Sequence, residues 1–461
     1  MGHHILFLGA FLLTLLVMVA LALGGKSRAG SGQDFSLSGR KAGSWHVSGA
    51  ITGTLVGGAS TIGTVQLAFL YGLSAWWFTL GAGLACLFLG LFLAVPLRRG
   101  QVETIPQFIA RYHGERARVV ASLFSALGMF VQIVAQLLAC GAILAVLFQL
   151  SLFWSALIST GLVALFTLSG GMKGAGLLGL VKLLLLYLTM FSAGILAYRL
   201  SGGWAELRSF YPAAPWFSLF GYGVREGISD LVSMLVGMIS TQTYLQAVFS
   251  ARDTTAARGG ALLSAALIPP LGLFGVLVGL YMRQVNPELE SALALPTFIL
   301  DQLPTVFAGV AFAALLIAAV GTASGLALGV ATTLKVDIID RYRIASSDDL
   351  PLMRMVTLAV VLLAFVLLLF NLGSAIMHWS FLSMGLRGAT LCLPLLFAVF
   401  LAERTSARAG VLSICLAPSV VIVCGLFGLE TVPPLYSGLG VSLMILVAGV
   451  VLKRLWPERL Q

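Results

Sequence analysis

The chain has 461 residues, of which 59% are hydrophobic and 10% charged, with a mean hydropathy of +1.03. A water-soluble domain carries about 25% charged residues, so this composition excludes one and indicates an integral membrane protein. The net charge of +10 is not a nucleic-acid footprint, because the basic residues fall in short segments between apolar runs, and the five cysteines lie inside such runs without metal-ligand spacing.

Thirteen apolar segments are long enough to span a bilayer, at about 5–24, 45–71, 73–97, 119–149, 151–169, 176–200, 228–249, 258–282, 303–334, 354–372, 375–401, 408–429 and 435–452. The first lacks a basic leader and precedes Lys26, Arg28, Arg40 and Lys41, which fits a retained helix better than a secretory signal. The second, Trp45 to Gly72, is interrupted by the cluster GGAST and then by Gly63 and Thr64. Unwinding there would free backbone groups for a solute and ion site, while the same small residues equally serve close helix packing.

Between the third and fourth segments, Pro106 can begin a short interfacial helix that lays Ile105, Phe108 and Ile109 against the membrane surface. The sixth segment holds Lys182, with no carboxylate nearby in sequence. Such a residue either faces a cavity on an ion path or snorkels to the surface. The connection from about 200 to 227, with Trp204, Tyr211, Trp216 and Tyr222, reads as an interfacial cap. The seventh segment is broken like the second, by Ser240, Thr241, Gln242 and Thr243 after Gly237. In the ninth, Ala318, Gly321, Thr322 and Gly325 share one helical face that permits close approach and offers a hydroxyl to a cation. The eleventh holds Arg387, which needs a partner or a cavity.

An N-terminus outside places 21 Lys and Arg in cytoplasmic segments and leaves Arg199, Arg208, Arg225 and Arg283 outside. The expected location is the inner (plasma) membrane, with a cytoplasmic C-terminus. Two interrupted spans of opposite direction, five apart, are what two five-helix units of inverted topology give, with one helix before and two after. The chain then divides into 1–43 (first helix and linker), 44–200 (first repeat), 201–401 (outer loop and second repeat) and 402–461 (two final helices). Chance placement of small and polar residues is the competing explanation.

Five stretches then resemble the sodium/solute symporter family: DFSLSGRKAG at 34–43, ETIPQFIARYHGERAR at 103–118, SGGMKG at 169–174, QTYLQAVFSARD at 242–253 and GTASGLALGVATTLKVDII at 321–339. The resemblance implies a symporter with a LeuT-like inverted-repeat core and alternating access. It further implies a sodium ion held by Ala59 and Ile62 on the first core helix and by Ala318, Gly321 and Thr322 on the eighth. The sequence departs from the family at Gly321, where many members have Ser, at Gly179 and Lys182, where an acidic residue and Gln are expected, and at Thr61, which is Asp in the proline-transporting branch. These departures suggest that the Lys182 ammonium takes the place of sodium and that protons provide the coupling, as in sodium-independent transporters with a lysine on the fifth core helix.

Thr61, Thr64 and Gln66 after the first break, Ser240, Gln242 and Thr243 at the second, and Gln132 are candidate solute contacts, with Gln136 a further polar residue one turn from Gln132. Arg387 without an acidic partner favours a small organic anion, such as a monocarboxylate or amino-acid-like solute. The reading is an all-α carrier in lipid that binds a small molecule and needs no cofactor beyond a sodium ion or proton. It implies neither nucleic acid nor an obligatory protein partner. No nucleophile, nucleotide or haem motif argues for an enzyme. The rival is a solute-sensing module without transport, disfavoured by the lack of a signalling extension after Lys453.

Overall fold

In hydrocarbon every backbone N–H and C=O has to be satisfied within the protein, and this apolar chain meets that demand with helices. The computed structural model describes residues 2–24, 40–102, 104–170, 175–339, 350–401, 404–426 and 433–455. Parts of three motifs, 34–39, Glu103 and 171–174, lie outside the described residues.

The chain opens with α1 (Gly2–Gly24) and α2 (Ser44–Leu55), followed by a π-helical turn (Ala59–Gly63) leading into α3 (Thr64–Tyr71). A 3-10 turn (Gly72–Trp76) connects to α4 (Trp77–Phe88), a second π turn and α5 (Ala94–Arg99). Then come α6 (Ile105–His113), α7 (Glu115–Phe148), α8 (Leu152–Gly170), α9 (Ala175–Leu200), α10 (Gly203–Phe210) and α11 (Ala213–Trp216). The second half holds α12 (Val224–Ile239), α13 (Gln242–Phe249), α14 (Thr254–Val285), α15 (Ala294–Gln302) and α16 (Thr305–Leu334). It closes with α17 (Leu350–Leu369), α18 (Ile376–Phe400), α19 (Ala407–Leu426) and α20 (Pro434–Leu455).

Among the described residues nine helical stretches are long and apolar enough to cross a membrane, or ten if the bent pair α12 and α13 is one span. This census counts Ala59–Arg99 as one stretch. Gly72, at φ +63, nevertheless divides it with a turn seated against the Trp216 backbone, where a Cβ would not fit. Apolar parts of α1 and α8 (His4–Ala20 and Leu152–Leu168) are shorter. Burial sorts the helices: the most apolar window is 78% buried in α7 and α16, against 28% in α17 and α20. Exposed side chains such as Phe370, Met444 and Leu13 form the surface that lipid covers.

Helix α6 forms from a capping box, with the Thr104 hydroxyl accepting from Gln107 N–H and the Gln107 side chain returning to Thr104 N–H. Its apolar face does not lie on the membrane surface. Ile105, Phe108 and Ile109 are fully buried in the protein core, because the helix turns them toward the main body rather than outward. The cap region is likewise docked on protein: Tyr211 Oη donates to Leu280 O at 2.7 Å and Trp77 Nε1 to Leu219 O at 2.6 Å.

At the basic end of the molecule, Ala42 and Ala251 form a parallel backbone bridge. Ala42 N–H donates to Ser250 O at 3.2 Å and Arg252 N–H to Ala42 O at 2.9 Å. Arg98 Nε donates to Ala251 O at 2.6 Å, and Arg40 Nη1 to Gln101 Oε1 at 2.6 Å. Asp337 accepts from Arg118 Nε at 2.6 Å and from Ser122 Oγ at 2.9 Å, tying the start of α7 to the exit of α16.

His113, at the end of α6, is buried and packed tightly against Gly410, with Nε2 donating to Pro394 O at 3.2 Å. Burial holds its imidazole below the ordinary value, outweighing the opposing effect of the Pro394 bond. Its contribution to stability is therefore full above about pH 6.5 and is lost as the pH falls from there through the folded value. We expect the melting temperature to drop between about pH 7.5 and about pH 5.5, and to drop less in His113→Gln, as thermal unfolding in detergent will show.

Candidate solute and cation site

Two helices come apart in the interior. After Leu55 the chain leaves α2 at Val56 (φ −77, ψ 94) and is helical again from Gly58 (φ −60, ψ −39), the residue before the π turn. The small residues Gly57 and Gly58 are required there: a Cβ at Gly57 would lie 2.8 Å from Thr322 Oγ1 and 2.9 Å from Gln136 Oε1, and one at Gly58 would collide with Ala139. The freed groups are paired, Gly57 N–H with Ser60 Oγ at 3.0 Å and Gly58 N–H with Gln136 Oε1 at 2.9 Å. The second break falls at Ser240 and Thr241 (φ −96, ψ 119), and α13 departs at 43° from α12.

Beside the first break, Lys182 points inward from α9 and is 5% exposed. Its Nζ donates to Gly53 O at 2.6 Å, to Thr322 Oγ1 at 3.2 Å and to Ala318 O at 3.4 Å. An ammonium has three N–H donors, and three oxygens from two helices receive them. The amine thereby bridges α2 and α16. Of the residues expected to hold a cation, Ala318 and Thr322 converge here. Gly321 contributes no side-chain atom, and nothing stands where its Cβ would be. Ala59 and Ile62 lie beyond the break in the π turn, and Ala59 O accepts from Thr64 N–H. The first broken helix supplies Gly53 O instead. The sequence locates the interruption without fixing the rotation of α2 before it, so only a pattern joining Gly53 to the ninth-segment face would have signalled this residue.

The candidate solute contacts separate into groups. Thr61 Oγ1 donates to Gly57 O at 2.8 Å and Thr64 Oγ1 to Ser60 O at 3.1 Å, so both hydroxyls support the first break. Gln66 Oε1 accepts from Ile376 N–H at 2.9 Å, capping the start of α18. Gln242 Oε1 accepts from Ile105 N–H at 2.8 Å and so joins the second break to α6. Ser240 Oγ and Thr243 Oγ1 are buried without a hydrogen-bond partner.

Gln132 and Arg387 lie along the seam between α7 and α18. Gln132 Nε2 donates to Ser380 Oγ at 2.9 Å, and its Oε1 has no partner. One turn away, Ser383 Oγ donates to Gly128 O at 2.6 Å, and the Arg387 side chain crosses Gly128 at a distance that leaves no room for a Cβ. Arg387 is fully buried; its Nε reaches Ser383 O at 3.2 Å and its Nη2 reaches Ser383 Oγ at 2.7 Å, while Nη1 is unpartnered. Among the described residues no salt bridge reaches it, and Asp230 accepts from Tyr222 Oη instead. A cavity of about 40 Å³ lies beyond Gln66, bounded by Leu137, Gly141, Ser291 and Ser374. It is too small for an organic solute. Among the described residues no group of three or more His, Cys, Asp or Glu could hold a metal.

Residues 35–415 match the model of the Sodium:solute symporter family. The chain belongs to that family. Human high affinity choline transporter 1 is 25% identical over 239 residues, 50% of this chain and 40% of that protein, so the chain spans less than half of this curated relative. A Na+-coupled sialic acid symporter in its substrate-bound outward-open state superposes with a TM-score of 0.78 at 17% identity, covering 98% of this chain and 97% of that one. Mhp1, a nucleobase-cation-symport-1 family transporter in a closed conformation, gives 0.61 at 12% identity, covering 91% and 95%. A manganese transporter of Eremococcus coleocola gives 0.57 at 14% identity, covering 95% and 98%. These likenesses establish an all-α, multi-pass membrane fold shared with transporters of several families.

The Gln242 bond has a measurable consequence. In Gln242→Leu the buried Ile105 N–H loses this acceptor, which costs about 1–3 kcal/mol. We expect a lower melting temperature and faster amide exchange at the start of α6 than in the parent protein.

Proposed function

We propose that this protein is a secondary-active transporter that moves a small polar or charged solute across the plasma membrane by alternating access, with Lys182 as its coupling group. The observation that carries this reading is the Lys182 amine bridging Gly53 O on α2 and Thr322 Oγ1 on α16. Family membership supports coupling to a cation gradient. The residues do not fit a sodium ion at this position, because an ammonium already uses its oxygens and would repel a second cation. Gly321 offers no hydroxyl in compensation.

When protonated, the amine presents three donors and a full charge to its three oxygens, which favours α2 held against α16. Loss of the proton removes the charge and one donor. The tie then weakens and α2 is free to move away, so proton release and helix movement favour each other. Thirteen spans, with inverted units at 44–200 and 201–401, the N-terminus outside and the C-terminus in the cytoplasm, complete the reading.

Uptake into proteoliposomes, with sodium and pH gradients imposed separately, tests it. The trial solutes are labelled monocarboxylates, amino acids, sialic acid and choline. The expected result is concentrative uptake driven by the pH gradient and lost in Lys182→Met. Sodium-driven uptake that survives in Lys182→Ala would overturn the proton coupling.

For the solute, the unpartnered Nη1 of a fully buried Arg387 favours a small organic anion, since a carboxylate would give that nitrogen the acceptor it lacks. Gln132 Oε1, Ser240 Oγ and Thr243 Oγ1 are further polar atoms with capacity for a solute. Removing the charge in Arg387→Gln is expected to weaken carboxylate binding by ~10-fold or more. Unchanged affinity in equilibrium binding would exclude this assignment, and saturable transport of choline in place of carboxylates would favour a cationic solute.

A further inference from the structure

We propose that Gln136 is a positioning residue for the first helix break: its side-chain oxygen fixes the unwound backbone at Gly57 and Gly58 against the face that carries Thr322 and Lys182. Gln136 is 1% exposed and reaches the break from α7, a helix that supplies no oxygen to the Lys182 amine. Its Oε1 takes the Gly58 N–H at 2.9 Å. Gly57 N–H is satisfied within its own chain segment by Ser60, so Gln136 is the partner that holds this turn from outside.

The opposite side of the turn faces Thr322. The position a Gly57 Cβ would occupy is 2.9 Å from Gln136 Oε1 and 2.8 Å from Thr322 Oγ1, so the two side chains clasp one glycine from two helices. Thr322 Oγ1 is also the oxygen that receives Lys182 Nζ. Gln136, the unwound backbone, Thr322 and Lys182 are thus contiguous, and Gly53, whose carbonyl is another of the three oxygens on the amine, precedes the same break by one helical turn. With no room for a Cβ on either glycine, the segment has little freedom to slide between its two holders. Losing the Gln136 acceptor frees one side of the clasp, and losing the Lys182 donor loosens the other.

This inference rests on the same break as the proposed function but not on transport itself. Hydrogen exchange on the full-length protein in nanodiscs tests it with no solute present. In Gln136→Met, which keeps length and withdraws the acceptor, amides between residues 53 and 64 are expected to exchange at least about ten-fold faster, while α17 and α20 are unchanged. Gln136→Glu, which retains an acceptor oxygen, keeps the parent rates. Lys182→Met loosens the same amides, and the double variant is expected to add little to the faster single one, because both open one segment. Should Gln136→Met not fold, Gln136→Asn draws the oxygen back and gives the same reading. Unchanged exchange between 53 and 64, acceleration spread evenly over the chain, or additive effects of the two substitutions would overturn the proposal. If the exchange results hold while pH-driven uptake fails, Gln136 keeps its role and the coupling role of Lys182 falls.

Discussion

Opening a helix in an apolar interior releases hydrogen-bonding groups that neither lipid nor water satisfies, and each unpaired group costs free energy comparable to a lost hydrogen bond. Much of the polar chemistry in this protein answers that constraint. At the first break Ser60, Thr61 and Gln136 take up the loose ends of Gly57 and Gly58. At the second, Thr241 Oγ1 donates back to Gly237 O at 2.6 Å, and Thr241 O receives Leu245 N–H at 3.2 Å. The glycines let neighbouring helices come close enough for those partners to reach. Packing and unwinding, which compete as explanations of GGAST in the sequence, prove to be two aspects of one arrangement.

Among the described residues, the buried cations Lys182 and Arg387 show how differently a charge can be accommodated without an acid. Lys182 has as many acceptors as donors, all from backbone or hydroxyl oxygen, and its amine joins helices that would otherwise only touch. Arg387 spreads five N–H groups over a site that serves only part of them, from a position its own helix largely provides. One is a closed structural tie and the other an open valence. That contrast underlies the proposal that the first serves coupling and the second the solute.

Much of this was legible in the sequence because lipid imposes simple rules. Long apolar runs gave the helices, and clusters of small and polar residues gave both interruptions. Lys182 stood out as an unpaired charge, and the chemistry of its neighbours on the ninth segment followed from a spacing of three and four. What could not be read was rotation. Whether Gly53 or Ala59 faces α16 depends on how far α2 winds before Val56 and on the π turn after it, and neither leaves a periodic trace. The same limit applies to Gln242, whose amide turns to α6, and to Ile105, Phe108 and Ile109, where amphipathic spacing shows that a face is apolar without saying whether lipid or protein covers it.

The short backbone bridge between Ala42 and Ala251 joins the residues just before one broken helix to those just after the other. If one strand swings away while the other stays in place, both of those backbone hydrogen bonds are lost. The two half-helices at the basic end are therefore fastened like the leaves of a double door sharing one bolt. Arg98, which grips the Ala251 carbonyl from the end of α5, makes the bolt's release depend on a third helix.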